Sequence, residues 1–146
     1  MKKFSGGIIA LALILLGVYV YKNDTLVAET KTVEVGDKSN LIVVTVPEGG
    51  RAITSPLTVG GQARGNWYFE GTFPIDVLAA DGSIIGKGLA TAQGEWMTKE
   101  FVPFTGSITF NAPREGMKSG IVLFKKDNPS GLPENEDSLA VPVQFK

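Results

Sequence analysis

The amino-acid sequence predicts an all-β protein: a two-sheet β-sandwich of about seven strands, preceded by one N-terminal transmembrane helix. Three observations predict it. The chain holds 18 glycines and 8 prolines in 146 residues, a density that suits many short elements joined by turns. After Asn40, short apolar and alternating runs are broken by Gly, Pro, Asn and Asp, with no stretch of helical periodicity. Before that point, Phe4–Tyr21 carries no charge, while Lys2 and Lys3 precede it and Lys22 follows it.

The first segment sets the address. As a helix rising roughly 1.5 Å per residue, Phe4–Tyr21 would reach about 27 Å, near the hydrocarbon thickness of a bilayer. It ends in "VYVYK", where Tyr19 and Tyr21 suit the membrane interface and no small residues mark a cleavage site. Residues 1–22 therefore read as a signal anchor. The alternative is a signal peptide cut after "TLVA" at Ala28, which would release a secreted domain. Lys2 and Lys3 keep the N-terminus cytoplasmic and place the rest of the chain outside. Residues 23–40 are mixed in charge and poor in large apolar side chains; they read as a linker, with a short strand candidate at "TKTVEV". Residues 41–146 form the outer domain.

Within that domain the elements follow in order. "LIVVTV" (Leu41–Val46) is β-branched and apolar, the pattern of a strand buried on both faces. A second strand lies near Leu57–Ala63, where Gly60 and Gly61 suggest a bulge or bend. In "TFPIDVLAADG", Phe73, Ile75, Val77 and Ala79 share one face, and Pro74 and Asp76 the other. That is the period of two of a half-buried strand. Asp81-Gly82 marks a hairpin turn into "IIGKGLATAQ". "EWMTKEFVPF" and "GSITFNAP" follow, with Ile108 and Phe110 on one side, and then "GIVLFKKD" (Gly120–Asp127). "NPSGLPENED" is a long polar turn. In "SLAVPVQF", Leu139, Val141, Val143 and Phe145 alternate with Ala140, Pro142 and Gln144; Pro142 cannot donate to a ladder, so it belongs at an edge or bulge. A sandwich buries the inner faces of these strands, which a flat sheet would leave wet. A small barrel is the structural alternative.

Composition excludes several chemistries. The chain has no Cys and no His. Disulfides, thiolate nucleophiles and Ser-His-Asp or Cys-His devices within the chain are therefore ruled out. A net charge of −1 gives no basic face for nucleic acid. "GGQARG" lacks the Gly-Lys-Ser/Thr and following helix of a phosphate loop and reads as a turn or bulge. Glu70, Asp76, Glu95 and Glu100 are the acids from which a glycosidase pair could be drawn, but no spacing fixes a pair and no long insertion builds a cleft. No cofactor is expected. Asp127–Asp137 offers oxygen ligands for Ca²⁺, but Pro129 and Gly131 break the loop register, and a solvated turn is the plainer reading.

One cluster stands out. In "NWYFEG" three aromatics follow one another, and on a strand they cannot all point inward. Asn66, Trp67, Tyr68 and Glu70 are the candidate contacts to a partner or glycan: exposed rings beside an amide and an acid could stack on sugar or grip a protein. The plainer alternative puts the aromatics in the core and gives Glu70 a turn role. Trp96 reads as a core residue covering one end of the sandwich.

The succession "SPLTVGGQARG", "FEGTFPIDVLAADG", "EWMTKEFVPFTGSITF" and "GIVLFKKDNPSGLPENEDSLAVPVQF" resembles the immunoglobulin-like domain of bacterial spore-germination proteins, the second type of germination-protein-associated domain. The resemblance covers roughly Leu41–Phe145. It implies a bacterial, extracytoplasmic, immunoglobulin-like sandwich without enzymatic activity, and it transfers no catalytic residues. Together with the N-terminal segment it leads to the expectation of a single-pass protein of the bacterial cell membrane. Its outer domain binds or spaces an envelope protein; the alternative is a cell-wall or carbohydrate-binding module.

Overall fold

The computed structural model describes residues 37–146. The expected transmembrane segment (1–22) and most of the expected linker (23–40) lie outside the described residues. Among the described residues no helix is long and apolar enough to cross a membrane.

The domain is all-β. Its strands are β1 (Ile42–Val46), β2 (Ala52–Ile53), β3 (Leu57–Arg64), β4 (Thr72–Ala79), β5 (Ile84–Ala92), β6 (Phe101–Ile108), β7 (Ser119–Lys125) and β8 (Ser138–Phe145). They form one eight-stranded sheet in the order β1-β3-β6-β5-β4-β7-β8-β2. Neighbours are antiparallel except β2 and β8. The two sheets expected from the pattern are thus one hydrogen-bonded sheet curled over itself, an arrangement consistent with an immunoglobulin-like domain.

The curl turns on β5. One side of β5 pairs with β4 along its length. The other side pairs with β6 at Ala90–Ala92, and again at the Gly86–Phe110 bridge. Between these, a side chain at Gly88 would stand 2.7 Å from Ile108 Cγ1. Only a residue without Cβ lets Ile108 close over that point. The layers then face each other across a shared core: Phe73 and Phe104 rings lie 4.9 Å apart and Phe104 and Phe124 rings 6.0 Å, although β6 and β7 are not sheet neighbours. Val59, Phe73, Ile75, Val77, Ala90, Val122 and Phe124 are fully buried there. Among the described residues β1 and β2 have one sheet neighbour each, so the sheet is not closed into a barrel.

Three expectations are corrected by this topology. β1 is not buried on both faces; at the rim of the sheet its residues grade from buried Ile42 to exposed Thr45 and Val46. The bulge predicted at Gly60–Gly61 is present, but the extra residue is Thr45 on the opposing strand, whose hydroxyl donates to Gly60 O. β4 buries its predicted inner face, and also Asp76 on its outer one. An eighth strand, β2, was not predicted, because two residues carry no periodicity. Pro142 lies, as expected, where β2 does not pair with β8; there only its carbonyl is used, accepting from Gly50 N–H.

The strand directions create two ends. The proximal end holds the start of the described chain (37–41) and the connections 65–71, 93–100 and 126–137. The distal end holds 47–56, 80–83, 109–118 and the C-terminal Lys146.

Candidate functional site

The aromatic cluster lies at the proximal end, and it is not a strand. Gly65–Trp67 form one 3₁₀ turn. Glu70 (φ 51°) and Gly71 (φ 77°) then make a tight reversal closed by paired Phe69 and Thr72 backbone hydrogen bonds. Positive φ at both central residues is the geometry of a type I′ turn, which the "EG" pair accommodates. A Cβ at Gly65 would overlap the carbonyl oxygens of Thr98 and Trp96, so the close seating of connection 93–100 on this turn depends on glycine.

The turn overrides the alternation expected of a strand. Trp67 and Tyr68 both point inward, with 1% and 4% of their surface exposed. Both rings meet Phe73 edge-on, at 6.5 and 5.3 Å between centroids. The Tyr68 hydroxyl donates to Val102 O at 2.7 Å. Burial pushes its pKa up to about 12. Neither ring offers a stacking face to a ligand, so for these two residues the contact role is replaced by a core role. Asn66 and Glu70 are exposed, as a contact role requires. Sequence reasoning missed Phe69, which is the exposed aromatic of the run.

Connection 93–100 caps this turn. Trp96 is half-buried against the core, and its indole Cδ1 would touch a side chain at Gly71. It covers the end of the sandwich without entering it. Met97 beside it is 74% exposed. The Arg64 guanidinium stacks on the Phe101 ring at 3.9 Å, and its Nε donates to Asn40 O. Arg64 therefore ties the start of the domain to this cap.

Connection 126–137 completes the end. Asp127 N–H donates to Trp67 O. Asn128, Ser130 and Asn135 bond to one another and to the backbone, in a self-contained polar turn. Asp137 pairs with Lys38. Among the described residues no group of three or more acidic, His or Cys side chains is placed to hold a metal ion. Three of the four acids weighed for catalysis are engaged separately, Asp76 with Lys125 Nζ at 3.3 Å, Glu95 with the Met97 N–H and Glu100 within 4.0 Å of Arg64, and Glu70 lies in the exposed turn.

Beside this turn lies a groove of about 640 Å³ on the outer side of β4 and β7. Lys38, Lys125, Lys126 and Glu136 line it with Pro74 and Leu123. Most of its lining comes from the polar segment 125–138, which the sequence marked as a loop rich in oxygen ligands; Lys38 and Pro74 join it from distant parts of the chain.

Residues 41–131 match the family model of the immunoglobulin-like domain of bacterial spore germination. No curated protein and no solved structure matches the chain.

Proposed function

The chain belongs to the family of immunoglobulin-like domains of bacterial spore germination, and from that premise we propose that it is a membrane-anchored, extracytoplasmic, non-enzymatic binding or spacer protein of the bacterial envelope that works through a protein partner. The observation that carries the partner is the proximal groove. Its walls carry both lysines (Lys38, Lys125, Lys126) and acids (Asp127, Glu136, Asp137) beside apolar Pro74 and Leu123, a mixture that suits a polar protein surface. The glycan alternative drew on Trp67 and Tyr68 as stacking platforms, and their burial removes its main support.

The test is photo-crosslinking in intact cells, with the reactive residue at Lys126 or Asn128 of the full-length protein and a control at Asp81. One discrete protein adduct from both groove positions, absent at Asp81, is the expected result. Adducts confined to wall glycan would favour the carbohydrate-binding alternative. No position-dependent adduct would overturn the partner.

A further inference from the structure

We propose that the outer face of the β5-β4-β7-β8 layer packs weakly and reversibly against the same face of a second copy of the chain. The contact lies on the strands, goes beyond the proximal groove and does not use the anchored reading. Register places the face. Phe73, Ile75 and Val77 of β4 and Val122 and Phe124 of β7 are fully buried, so the residues between them point outward. Along one cross-strand row Leu78 pairs with Ile84 of β5 and with Ile121 of β7, which in turn pairs with Pro142 of β8. Toward the proximal end Leu123 pairs with Ala140, and Pro74 with Leu89. Ile84 and Leu89 are 49% and 55% exposed. The outer face of the other layer is unlike it: on β3 and β6, Thr58, Gln62, Thr105 and Ser107 stand out into solvent. That polar exterior is what an antiparallel sheet shows to water, and an apolar exterior on one layer alone marks a docking surface.

Charge and area select the occupant. Asp76 is buried on this face and bonded to Lys125 Nζ at 3.3 Å, so that pair is neutralised within one copy. Lys87, on β5 at the margin of the layer, is the other charge of the face. Such a face asks for no compensating charge from what covers it, and its strands offer no aromatic ring for a sugar to stack on. A two-fold axis parallel to the strands, between two copies of the face, sets β4 over β7 and β5 over β8. Leu78 then meets Ile121 of the second copy, Ile84 meets Pro142, and Lys87 meets Ala140. The two Lys87 side chains stand at opposite margins, about 14 Å apart across the strands, beyond the screening length of physiological salt. The face therefore complements itself. Four strands about 4.8 Å apart and three rows of outward residues cover about 400 Å², so two copies would bury about 800 Å², the size of a weak interface.

The chain has no cysteine, so one introduced thiol is a unique cross-linking site. Full-length Leu123→Cys, on the proposed face, and Thr105→Cys, on the opposite one, would be treated with a short bismaleimide at low and high protein concentration. The expected result is a homodimer at Leu123 several-fold above that at Thr105, rising with concentration. It should be lost when the exposed positions are also changed, Ile84→Lys with Leu89→Lys. Leu78→Cys, beside the same axis, takes the place of Leu123→Cys if that variant does not melt like the unmutated protein. Equal dimer at both positions assigns association to another part of the chain and overturns the face. Absence of dimer at either position overturns it too, as does a Leu123 dimer that survives the two lysines. In intact cells, a Leu123 adduct to a different protein, without homodimer, overturns the second copy in favour of that partner. The partner of the proximal groove is judged separately, from Lys126 and Asn128, so either reading can fail alone.

Discussion

The two ends of the sandwich are built from similar residues and held differently. Both use glycine, aspartate and serine in their turns. At the distal end the β4–β5 turn is loosely held: Gly82 adopts φ 81° with nothing near its missing side chain, Asp81 accepts from Ser83 N–H and hydroxyl, and the one reach from another connection is Arg114 Nη1, 3.7 Å from Asp81. At the proximal end the connections are pressed together. Gly65 is enclosed by the carbonyls of Trp96 and Thr98, and Trp67, Tyr68, Phe73, Phe104 and Phe124 form a run of aromatic contacts into the core. The difference teaches that a glycine-rich connection is either a reversal or a seat for another segment. A seated connection can hold exposed side chains such as Phe69 and Met97 in fixed positions.

The sharpest way to break this comparison is to remove the seat. Trp67→Ala is expected to cost about 3–5 kcal/mol of folding stability, read from urea denaturation. Phe69→Ala, two residues on, should stay within about 0.5 kcal/mol. Equal costs would mean that the inner and outer aromatics are wrongly assigned. Next in size are the glycines. Gly65→Ala forces a methyl against two carbonyls and should cost about 1–3 kcal/mol. Gly82→Ala meets open space and only the strain of positive φ, about 1 kcal/mol. A smaller loss at Gly65 than at Gly82 would contradict the seating.

The ends also differ in pH response. Tyr68 has its pKa raised to about 12 by burial, so its neutral form is favoured in the folded state. Its contribution is complete below pH 10 and is lost as pH rises from about 10 to 12. Tyr68→Phe should flatten the alkaline limb of a thermal-melt profile and, by removing the hydroxyl's bond to Val102 O, lower stability at pH 7 by about 1 kcal/mol. The smallest effect is distal. The Ser83 hydrogen bonds hold the Asp81 pKa below its usual value, so its contribution is present above about pH 4 and is lost as pH falls through the lowered value. Asp81→Asn should slightly reduce the acid-side slope and leave the alkaline side unchanged.

Much of the fold was legible because strands write their inner faces in period two. Phe73, Ile75, Val77 and Ala79 were assigned to one inner face from spacing alone; of the alternating set Leu139, Val141, Val143 and Phe145, the last three are buried and Leu139 is half-buried. The site was far less legible. Trp67 and Tyr68 are adjacent, and adjacency implies opposite faces only on a strand; a single 3₁₀ turn turned both inward. Asp76 read as a wet residue because its partner Lys125 arrives from a strand far along the chain. The groove was legible only in part: its loop 126–137 stood out as a polar segment, but Lys38 and Pro74 join it only once the sheet has curled. Phe69 gave no signal of its own, because its exposure follows from a turn set by Glu70 and Gly71.

The account's central claim is that the proximal end is where this protein meets its surroundings. Hydrogen exchange on the full-length protein, compared between native membranes and detergent extract, tests it most directly. The account predicts that extraction removes protection at 65–71, 93–100 and 126–137 and leaves 47–56, 80–83 and 109–118 unchanged. Protection lost at the distal segments, or lost equally at both ends, would contradict it.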